Sequence, residues 1–503
     1  FNDTATTEIY TLSLHDALPI YTPTLRHVPP SARYAWGQAL TRACAAVAEY
    51  NDEAAWVHLL MLPKCVLCSP RRGGRKHQRT AAAFTIERLK RWNDGERASL
   101  WASRPQPQRP HGRDMTAEQK RDFATGLARE GFDKKACTAL LSHGLCDHSQ
   151  ATVAALRALH PTSAAPVVPA LESLPLAPGF DVDAVTQALR RFPSDTAPGP
   201  SGLRVQHVLD AVGHGVGLLD QLTAVVNLLA QGRACPSIAP LLAGAGLVAL
   251  PKPSGGIRPI AVGELLRRLT GKCLMQAVRP EARDHFWPAQ AGVAVPGGAE
   301  AAVHGLRAWV SRHAASHDSV VVKVDFQNAF NTISRDVVLQ PARDKFPALA
   351  RWSTWCYQHA TNLQFGDTVL QSNSGVQQGD PLGPLLFAAA LHPLAAALRT
   401  TALDFSVFYL DDGVLAGPID AVTAALSQLQ QAAGRVGLVL NLGKSEAIAV
   451  GMTSAAAIAA KLPSQLVSTS DGNNRILRDF EFLGAGIGGP EYLQRHATGR
   501  VEG

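Results

Sequence analysis

The run VVVKVDF at residues 320–326 limits the possible folds more than any other part of the chain. In an extended strand its alternate valines share one face, while Lys323 and Asp325 share the other. Burying an unpaired carboxylate costs free energy, so we expect Asp325 to face solvent, a cation or a ligand. The pattern predicts a strand with one buried face and an acid at its carboxyl end.

A second acidic site, YLDDG at residues 409–413, lies between two apolar runs. Neighbouring side chains of a regular strand point to opposite faces, so Asp411 and Asp412 could not both address one point. A tight hairpin at residues 411–413 relaxes that limit and lifts both acids to a sheet edge. By itself an Asp-Asp pair is most often part of a turn. Of the two acids, we expect Asp411 to be the direct metal ligand.

Carboxylates from two such sites suit a hard divalent cation. Oxygen ligands with open positions for water and phosphate favour Mg²⁺ over zinc. Two such ions held roughly 3.5–4 Å apart promote in-line displacement at phosphorus. The combination of Asp325 with Asp411 and Asp412 is therefore compatible with nucleotidyl transfer.

Helical and extended patterns alternate after residue 180 and predict an α+β domain in which helices back an antiparallel sheet. Helices are expected over residues 183–192, 382–398 and 419–436. Strands are expected over residues 246–251, 320–326, 405–409, 414–416, 438–441, 447–450 and 480–483. The apolar stretch 381–398 contains Pro384, His392 and Pro393, so we interpret it as a buried helix rather than a membrane span.

The first third of the chain, residues 21–160, is Ala-rich and predicted to be helical. Its basic residues either form a solvated face or contact nucleic acid, and both readings stay open. They are Arg71, Arg72, Arg75, Lys76, His77, Arg79, Arg88, Lys90, Arg91 and Arg97. Cys65 and Cys68 form a C-x-x-C without a second pair at zinc-finger spacing, which argues against a structural zinc. Residues 161–179 are rich in Pro, Ala and Ser and predict a semi-extended linker that does not pack.

The composition is typical of a folded intracellular protein. The chain is 46% hydrophobic and 18% charged, which excludes wholesale disorder, and its 8 Cys in 503 residues are too few for a disulfide scaffold. A net charge of +7 permits a polyanionic partner without requiring one. Because the chain begins at Phe1 without a basic signal segment, we expect a fragment at this end and no secretory signal. Residues 4–20 resemble a translated sequencing adapter, and we expect them to take no part in the fold.

Five segments in order resemble the palm motifs of reverse transcriptases, most closely those of the non-LTR retrotransposon type. They are VVVKVDFQNAFNTI (320–333), SGVQQGDPLGPLLF (374–387), FYLDDGVL (408–415), GLVLNLGKSE (437–446) and FEFLGAGIG (480–488). Three upstream segments resemble the fingers motifs of that group. These are DTAPGPSGLR (195–204), LPKPSGGIRPIAVGELLRRL (250–269) and QAGVAVPGGAEAAVH (290–304). Leu410 departs from the family, where many non-LTR enzymes carry Ala, but both acids are kept.

The resemblance implies an α+β right-hand polymerase with fingers and palm, in which helices back an antiparallel palm sheet. The expected domains are a doubtful segment 1–20, a mainly helical basic N-terminal extension 21–160, a Pro/Ala-rich linker 161–180, fingers 181–319, palm 320–490 and the start of a thumb connection 491–503. The chain ends where the family's thumb normally follows, so we expect the thumb to be missing.

The same resemblance implies a role for each matching residue. Asp325, Asp411 and Asp412 form the catalytic and metal-binding carboxylate set, with the Phe326 carbonyl as a further metal ligand. Lys444 protonates the departing pyrophosphate. The residues that contact the incoming nucleotide are Lys252 and Arg258 at its triphosphate, Phe330 beneath its sugar, and Gln378 and Gly379. The primer grip is formed by Phe482, Leu483 and Gly484.

The implied function is RNA-directed DNA polymerisation with two Mg²⁺ ions, for which Mn²⁺ can substitute. The expected partners are an RNA template, a DNA primer and dNTPs, with no membrane; protein partners are not indicated. One alternative is an RNA-directed RNA polymerase with the same palm, although Phe330 argues against it. The other alternative is a catalytically inactive retroelement relic that binds nucleic acid.

Overall fold

The computed structural model describes residues 23–70, 77–105, 116–129, 131, 133–141, 144–214, 217–252, 255–469 and 471–502. The adapter-like segment 1–20 lies outside the described residues. So do the basic residues Arg71, Arg72, Arg75 and Lys76, and the side chains of His77 and Arg79.

The described residues form a mixed helix and sheet fold. Its strands are β1 (Ala245–Pro251), β2 (Ile257–Gly263), β3 (Ser319–Val324), β4 (Thr361–Phe365), β5 (Thr368–Ser372), β6 (Phe405–Tyr409), β7 (Asp412–Gly417), β8 (Glu446–Val450), β9 (Phe480–Phe482) and β10 (Ala485–Ile487). The helices before β1 are α1 (Arg33–Tyr50), α2 (Glu53–Val66), α3 (His77–Asn93), α4 (Arg97–Ala102), α5 (Ala117–Arg129), α6 (Asp133–Leu141), α7 (Gln150–Leu159), α8 (Val182–Arg190), α9 (Val205–Val212), α10 (Leu218–Ala230) and α11 (Ala239–Leu242). The later helices are α12 (Leu265–Phe286), α13 (Gly298–Arg312), α14 (Ala329–Thr332), α15 (Arg335–Asp344), α16 (Ala350–Tyr357), α17 (Gly383–Leu398), α18 (Ile419–Arg435), α19 (Ala455–Ala459), α20 (Ser464–Val467) and α21 (Pro490–Glu502).

The chain divides into two compact units. The first unit comprises the residues up to 274 together with 351–373 and 377–381. The second unit comprises residues 275–350, 374–376 and 382–503. The whole predicted linker, residues 161–180, therefore belongs to the first unit.

The sheet of the first unit has the strand order β2-β1-β4-β5. Strands β1 and β2 are antiparallel, whereas β1 and β4 run parallel. Alternate residues of β1 are buried, including Leu247 and Ala249, and they pack with Leu156 of α7 and Leu363 of β4. The strand predicted from the short apolar run 246–251 is thus confirmed, with one face more deeply buried than the other.

The basic N-terminal region is helical, as predicted, but some of its charges have structural roles. Arg88 is buried, and its guanidinium donates to the carbonyls of Cys65 and Leu100, near the ends of α2 and α4. Such contacts satisfy carbonyl groups that a helix leaves without partners. Arg91 is instead a half-buried residue that pairs with the more exposed Glu96 at 2.8 Å. Arg88 therefore has a structural role, rather than lying on a solvated face or contacting nucleic acid.

The Cys65-x-x-Cys68 pair lies in the same region as two buried free thiols. Burial raises the pKa of Cys65 to about 12 and also raises that of Cys68. Both groups are therefore held as neutral thiols near neutral pH.

The Pro/Ala-rich segment 161–180 is extended apart from a 3₁₀ turn at Leu171–Ser173, and, contrary to expectation, part of it packs within the first unit. Leu174 and Ala177 are buried. The Arg351 guanidinium donates to the carbonyls of Leu174 and Glu172, each at 2.8 Å. These donors satisfy the polar backbone, which is why an extended segment without its own hydrogen-bond ladder can be partly buried.

The second unit is built on an antiparallel sheet of order β6-β7-β3-β8, which α17 and α18 contact. This arrangement confirms the prediction of an antiparallel sheet backed by helices. On one face, Val321 of β3 and Ile448 of β8 belong to a core that includes Leu306 and Trp309 of α13.

Three predicted boundaries shift in the second unit. Strand β3 ends at Val324, two residues early. Residues 438–441 form only a single bridge, between Leu440 and Phe326, rather than a strand. The hairpin predicted at 411–413 turns one residue earlier, because Tyr409 pairs with Asp412 and leaves Leu410 and Asp411 as the turn.

The apolar stretch predicted as a buried helix forms α17, most of whose residues are buried. Within the described part of the chain, every helix falls short of the length and apolar character needed to span a bilayer.

Candidate active site

Two of the predicted catalytic acids lie opposite each other across β3 and β7. Val324 pairs with Gly413, so the next position along β3, Asp325, comes opposite Asp412. Partial burial of the Asp412 carboxylate and the negative charge of Asp325 raise the pKa of Asp412, while the Lys323 ammonium opposes this shift. The two carboxylates therefore interact through their charges, as acids on the same face of neighbouring strands should.

The third acid, Asp411, lies in the turn between β6 and β7. Its neighbour Leu410 has φ of 58°, a left-handed conformation that costs a non-glycine residue roughly 1–2 kcal/mol. Gln290, which is fully buried, offsets this cost. Its Oε1 accepts from the Leu410 N–H at 2.7 Å and its Nε2 donates to the Leu410 carbonyl at 3.1 Å. This clamp holds the turn that presents Asp411.

Gln290 is not among the residues predicted for the site, although it begins the motif segment 290–304. A buried glutamine whose partner lies 120 positions away leaves no local periodicity to detect.

Phe326 continues the chain beyond β3 and forms the bridge with Leu440. Gln327 donates to the carbonyl of Val439 at 2.8 Å, and Asn441 donates to the carbonyl of Asp325 at 2.7 Å. In this antiparallel pattern the N–H and C=O of Phe326 itself point away from Leu440. The Phe326 carbonyl is thus directed toward the β7 side, where the predicted metal-binding acids lie.

Lys444 is exposed in a turn whose two ends bind the backbone of Asp325. Asn441 donates to the Asp325 carbonyl, and the Asp325 N–H donates to Ser445 Oγ at 3.1 Å. The fold therefore brings Lys444 into the same local region as Asp325.

The predicted primer grip is the two-residue turn between β9 and β10. Leu483 and Gly484 both have positive φ, at 49° and 80°, which matches the tight turns that favour hairpins. Phe482 is buried, with 1% of its surface exposed, in the core of the second unit.

Lys323 connects this hairpin to the strand of Asp325. Its Nζ donates to the Glu481 carbonyl of β9 at 2.7 Å and to Glu446 of β8 at 2.9 Å. Lys323 also lowers the pKa of Asp412. The sequence placed Lys323 on the face of Asp325 but gave it no function, because both of its partners are distant in the chain.

Phe330 is partly exposed in α14 and stacks on Phe387 of α17, with ring centroids 4.5 Å apart and planes at 14°. Phe387 is fully buried. The Phe330 carbonyl accepts from the Val376 N–H at 2.7 Å. Phe387 therefore supports one face of the Phe330 ring, and the hydrogen bond from Val376 holds the Phe330 backbone. Both contacts are consistent with a rigidly held ring.

The remaining predicted residues belong to the first unit. Lys252 and Arg258 lie on the β1–β2 hairpin, whose end is closed by the Lys252 N–H donating to Gly256 at 3.0 Å. The Gln378 carbonyl accepts from Ala261 of β2 at 2.9 Å. Gly379 has φ of 123°, and a Cβ there would collide with the Ala261 carbonyl. The fold itself thus requires glycine at 379.

Among the described residues, no three His, Cys, Asp or Glu side chains are already grouped as a metal site. The interacting carboxylates of Asp325 and Asp412 still fit a hard divalent cation. They supply oxygen donors, and a cation between them would relieve the repulsion that raises the pKa of Asp412.

A match to a family model covers this site. Residues 250–487, just under half of the chain, match the model described as reverse transcriptase (RNA-dependent DNA polymerase). This segment is similar to the reverse transcriptases. It contains all of the predicted site residues in both units.

The other comparisons add little. A solved structure of telomerase from Candida albicans, in complex with a TWJ fragment of telomeric RNA, is 11% identical, with a TM-score of 0.36. The likeness covers 49% of this chain and 46% of that one, so the chain spans less than half of that protein. No protein of curated function matches the chain.

Removal of the Asp412 charge is expected to stabilise the metal-free protein. A carboxyl group whose pKa is raised on folding destabilises the folded state once it is ionised. This penalty develops as the pH rises above the ordinary pKa of an Asp side chain. Asp412→Asn should therefore raise the melting temperature in EDTA above neutral pH, and less so in acid. Added Mg²⁺ should stabilise the wild type more than the variant. Equal responses of the two proteins to pH and Mg²⁺ would contradict the charge coupling.

Proposed function

We propose that the chain is the RNA-directed DNA polymerase domain of a retroelement, of the non-LTR type, with residues 181–319 as fingers and 320–490 as palm. The reaction is attack of a primer 3′-hydroxyl on the α-phosphate of a dNTP, directed by an RNA template, with release of pyrophosphate. The observation that supports it most is the charge-coupled pair Asp325 and Asp412 beside the Asp411 turn, within a segment similar to reverse transcriptases.

In this proposal the chain's own groups position the reactants and balance charge. Asp325, Asp411 and Asp412, with the Phe326 carbonyl, would provide the oxygen ligands for two Mg²⁺ ions, for which Mn²⁺ could substitute. When bound, these ions would supply Lewis-acid stabilisation to the attacking and leaving oxygens. The Lys444 ammonium gives a proton to the departing pyrophosphate.

Other residues bind the nucleotide and the primer. Lys252 and Arg258 contact the triphosphate, Arg258 through two parallel N–H donors. Gln378 and Gly379 contact the incoming nucleotide. The turn of residues 482–484 holds the primer end.

The proposal is tested by primer extension on poly(rA)/oligo(dT) with Mg²⁺ and dTTP. We expect extension by the wild type and none above background by Asp411→Asn, with equal primer–template binding by both proteins. Binding that weakens steeply with salt, without extension by the wild type, would instead support the nucleic-acid-binding relic. Equal extension by both proteins would exclude Asp411 from catalysis.

Phe330 is expected to select the sugar. Its stacked ring would collide with a 2′-hydroxyl, so Phe330→Val should reduce the preference for dTTP over UTP by about tenfold or more. The measurement is kcat/KM for both nucleotides on one primer–template, and kcat for dTTP should change little. A preference for UTP in the wild type that Phe330→Val leaves unchanged would favour the RNA polymerase alternative.

A further inference from the structure

A fully buried ion pair lies in the first unit, and none of the roles assigned above uses it. Arg267 of α12 and Asp380 have side chains only 1% and 2% exposed, with Arg267 Nη2 and Asp380 Oδ2 2.7 Å apart. The Tyr357 hydroxyl of α16 donates to the same Asp380 oxygen at 2.7 Å. The hydroxyl also accepts from Arg267 Nη2 at 3.1 Å. Three elements distant in the chain therefore meet at one carboxylate.

Gln377 ties this network to the backbone beside it. Its N–H donates to the Tyr357 hydroxyl at 3.3 Å, and its Oε1 accepts from Arg267. Its Nε2 donates to the carbonyl of Ala243 at 2.9 Å. Gln377 and Asp380 are the residues on either side of Gln378 and Gly379, so both ends of that dipeptide are fixed by buried polar contacts.

Contacts with β2 also fix the dipeptide Gln378–Gly379. The Gln378 carbonyl accepts from the Ala261 N–H at 2.9 Å, and Gly379 lies so close to the Ala261 carbonyl that a Cβ would collide with it. The backbone at 378 and 379 is thus held at three points, with little freedom to shift.

Stability alone does not explain this network. Replacing a buried ion pair with well-packed apolar side chains is often neutral or stabilising, because the desolvation cost of two charges offsets their attraction. An apolar cluster, in contrast to this network, provides no directional hydrogen bonds. A directional network is useful where a backbone must be held in one orientation.

We propose that Arg267, Asp380 and Tyr357 are positioning residues that orient Gln378 and Gly379, and so set the affinity for the incoming nucleotide. The nucleotide part rests on the proposed polymerase function. The orientation of the dipeptide does not, and it can be measured without catalysis.

The test compares Tyr357→Phe with Thr354→Val on the same helix, α16. Tyr357→Phe keeps the ring and removes three hydrogen bonds of the network. Thr354 is also fully buried, but its Oγ1 has no hydrogen-bond partner among the described residues, so Thr354→Val removes a hydroxyl outside the network. Hydrogen exchange of peptides covering 376–381 and Ala261 reports the orientation, and KM and kcat for dTTP report the function.

In Tyr357→Phe we expect exchange at 376–381 and Ala261 to accelerate about tenfold, and KM for dTTP to rise about tenfold with kcat within a factor of two. Thr354→Val should match the wild type in both measurements. Unchanged exchange in Tyr357→Phe would overturn the positioning role, whether or not the protein extends primers. Faster exchange with an unchanged KM would overturn the link to nucleotide affinity.

A second variant separates positioning from stability if Tyr357→Phe folds poorly. The double replacement Arg267→Met with Asp380→Leu removes both buried charges together and should keep a melting temperature close to that of the wild type. We expect its exchange and KM to rise as in Tyr357→Phe. A double variant with wild-type exchange and KM would show that the pair only fills space, and the proposal would be wrong. Failure of the wild type to extend any primer would count against the polymerase function and the nucleotide role, while the exchange results would still decide the positioning role.

Discussion

Replacing Asp325 with Asn is expected to lower the rate of primer extension by about 1,000-fold or more. Carboxylates that hold catalytic metal ions contribute several kcal/mol of transition-state stabilisation, and each 1.36 kcal/mol is worth about tenfold in rate. Asn keeps the size of the side chain but removes the charge that interacts with Asp412. The fold should be retained, because the backbone of Asp325, rather than its carboxylate, makes the contacts with Asn441 and Ser445.

The matched control is Asp344→Asn, an exposed acid at the end of α15 in the same unit. Its kcat/KM should stay within a factor of two of the wild type. Both variants should bind primer–template like the wild type. Asp344→Asn should also melt like the wild type, whereas Asp325→Asn should melt somewhat higher in EDTA, because it removes a negative charge that raises the pKa of Asp412. If Asp325→Asn extends primers at a rate close to that of Asp344→Asn, the carboxylate pair is not the catalytic centre and the proposed function loses its main support.

The sheet that carries these acids could be predicted from the sequence. Strand β6 spans residues 405–409 as expected, and α18 ends within one residue of its expected end. The opposition of Asp325 to Asp412 follows from the register of β3 and β7. Both strands are buried on both faces over most of their length, rather than on the single face expected for residues 320–326. A short apolar run still predicts a buried strand, but it does not identify the partner strand.

The side-chain contacts that orient the acids could not be predicted from the sequence. The turn at Leu410 depends on Gln290, and the hairpin of residues 482–484 is joined to β3 through Lys323. In each case a polar side chain meets a backbone group more than a hundred positions away. Such contacts depend on tertiary packing, which neither the hydrophobic periodicity nor the secondary-structure propensity of the sequence encodes.

Burial of Arg88 and of part of the segment 161–180 illustrates the same limit. A run of basic residues indicates charge but not which member will satisfy helix carbonyls in the interior. Likewise, a Pro/Ala-rich composition predicts an extended backbone, but not the Arg351 side chain that allows that backbone to pack. The backbone conformation of both segments was therefore easier to predict from the sequence than the burial of their residues.

Replacing Gly375 with Ala is expected to destabilise the second unit by roughly 2–4 kcal/mol, the sum of a left-handed conformation and a steric clash. Gly375 has φ of 65°, and a Cβ there would collide with the backbone of Phe330 and Asn331. Its N–H donates to the Ile333 carbonyl at 3.0 Å, and its carbonyl accepts from Arg335 at 3.1 Å. Relief of the clash would therefore break contacts that hold α14.

The control is Gly434→Ala in α18 of the same unit, where a Cβ meets nothing within 4 Å. Alanine in an exposed helical position should stabilise the protein by about 0.5–1 kcal/mol. Denaturant unfolding followed by circular dichroism measures both changes. Because the turn at Gly375 supports the backbone of Phe330, Gly375→Ala should also weaken the preference for dTTP over UTP, whereas Gly434→Ala should not. Equal shifts in stability for the two alanine variants would mean that the loop at 374–376 has room to move, and that Phe330 is not rigidly held.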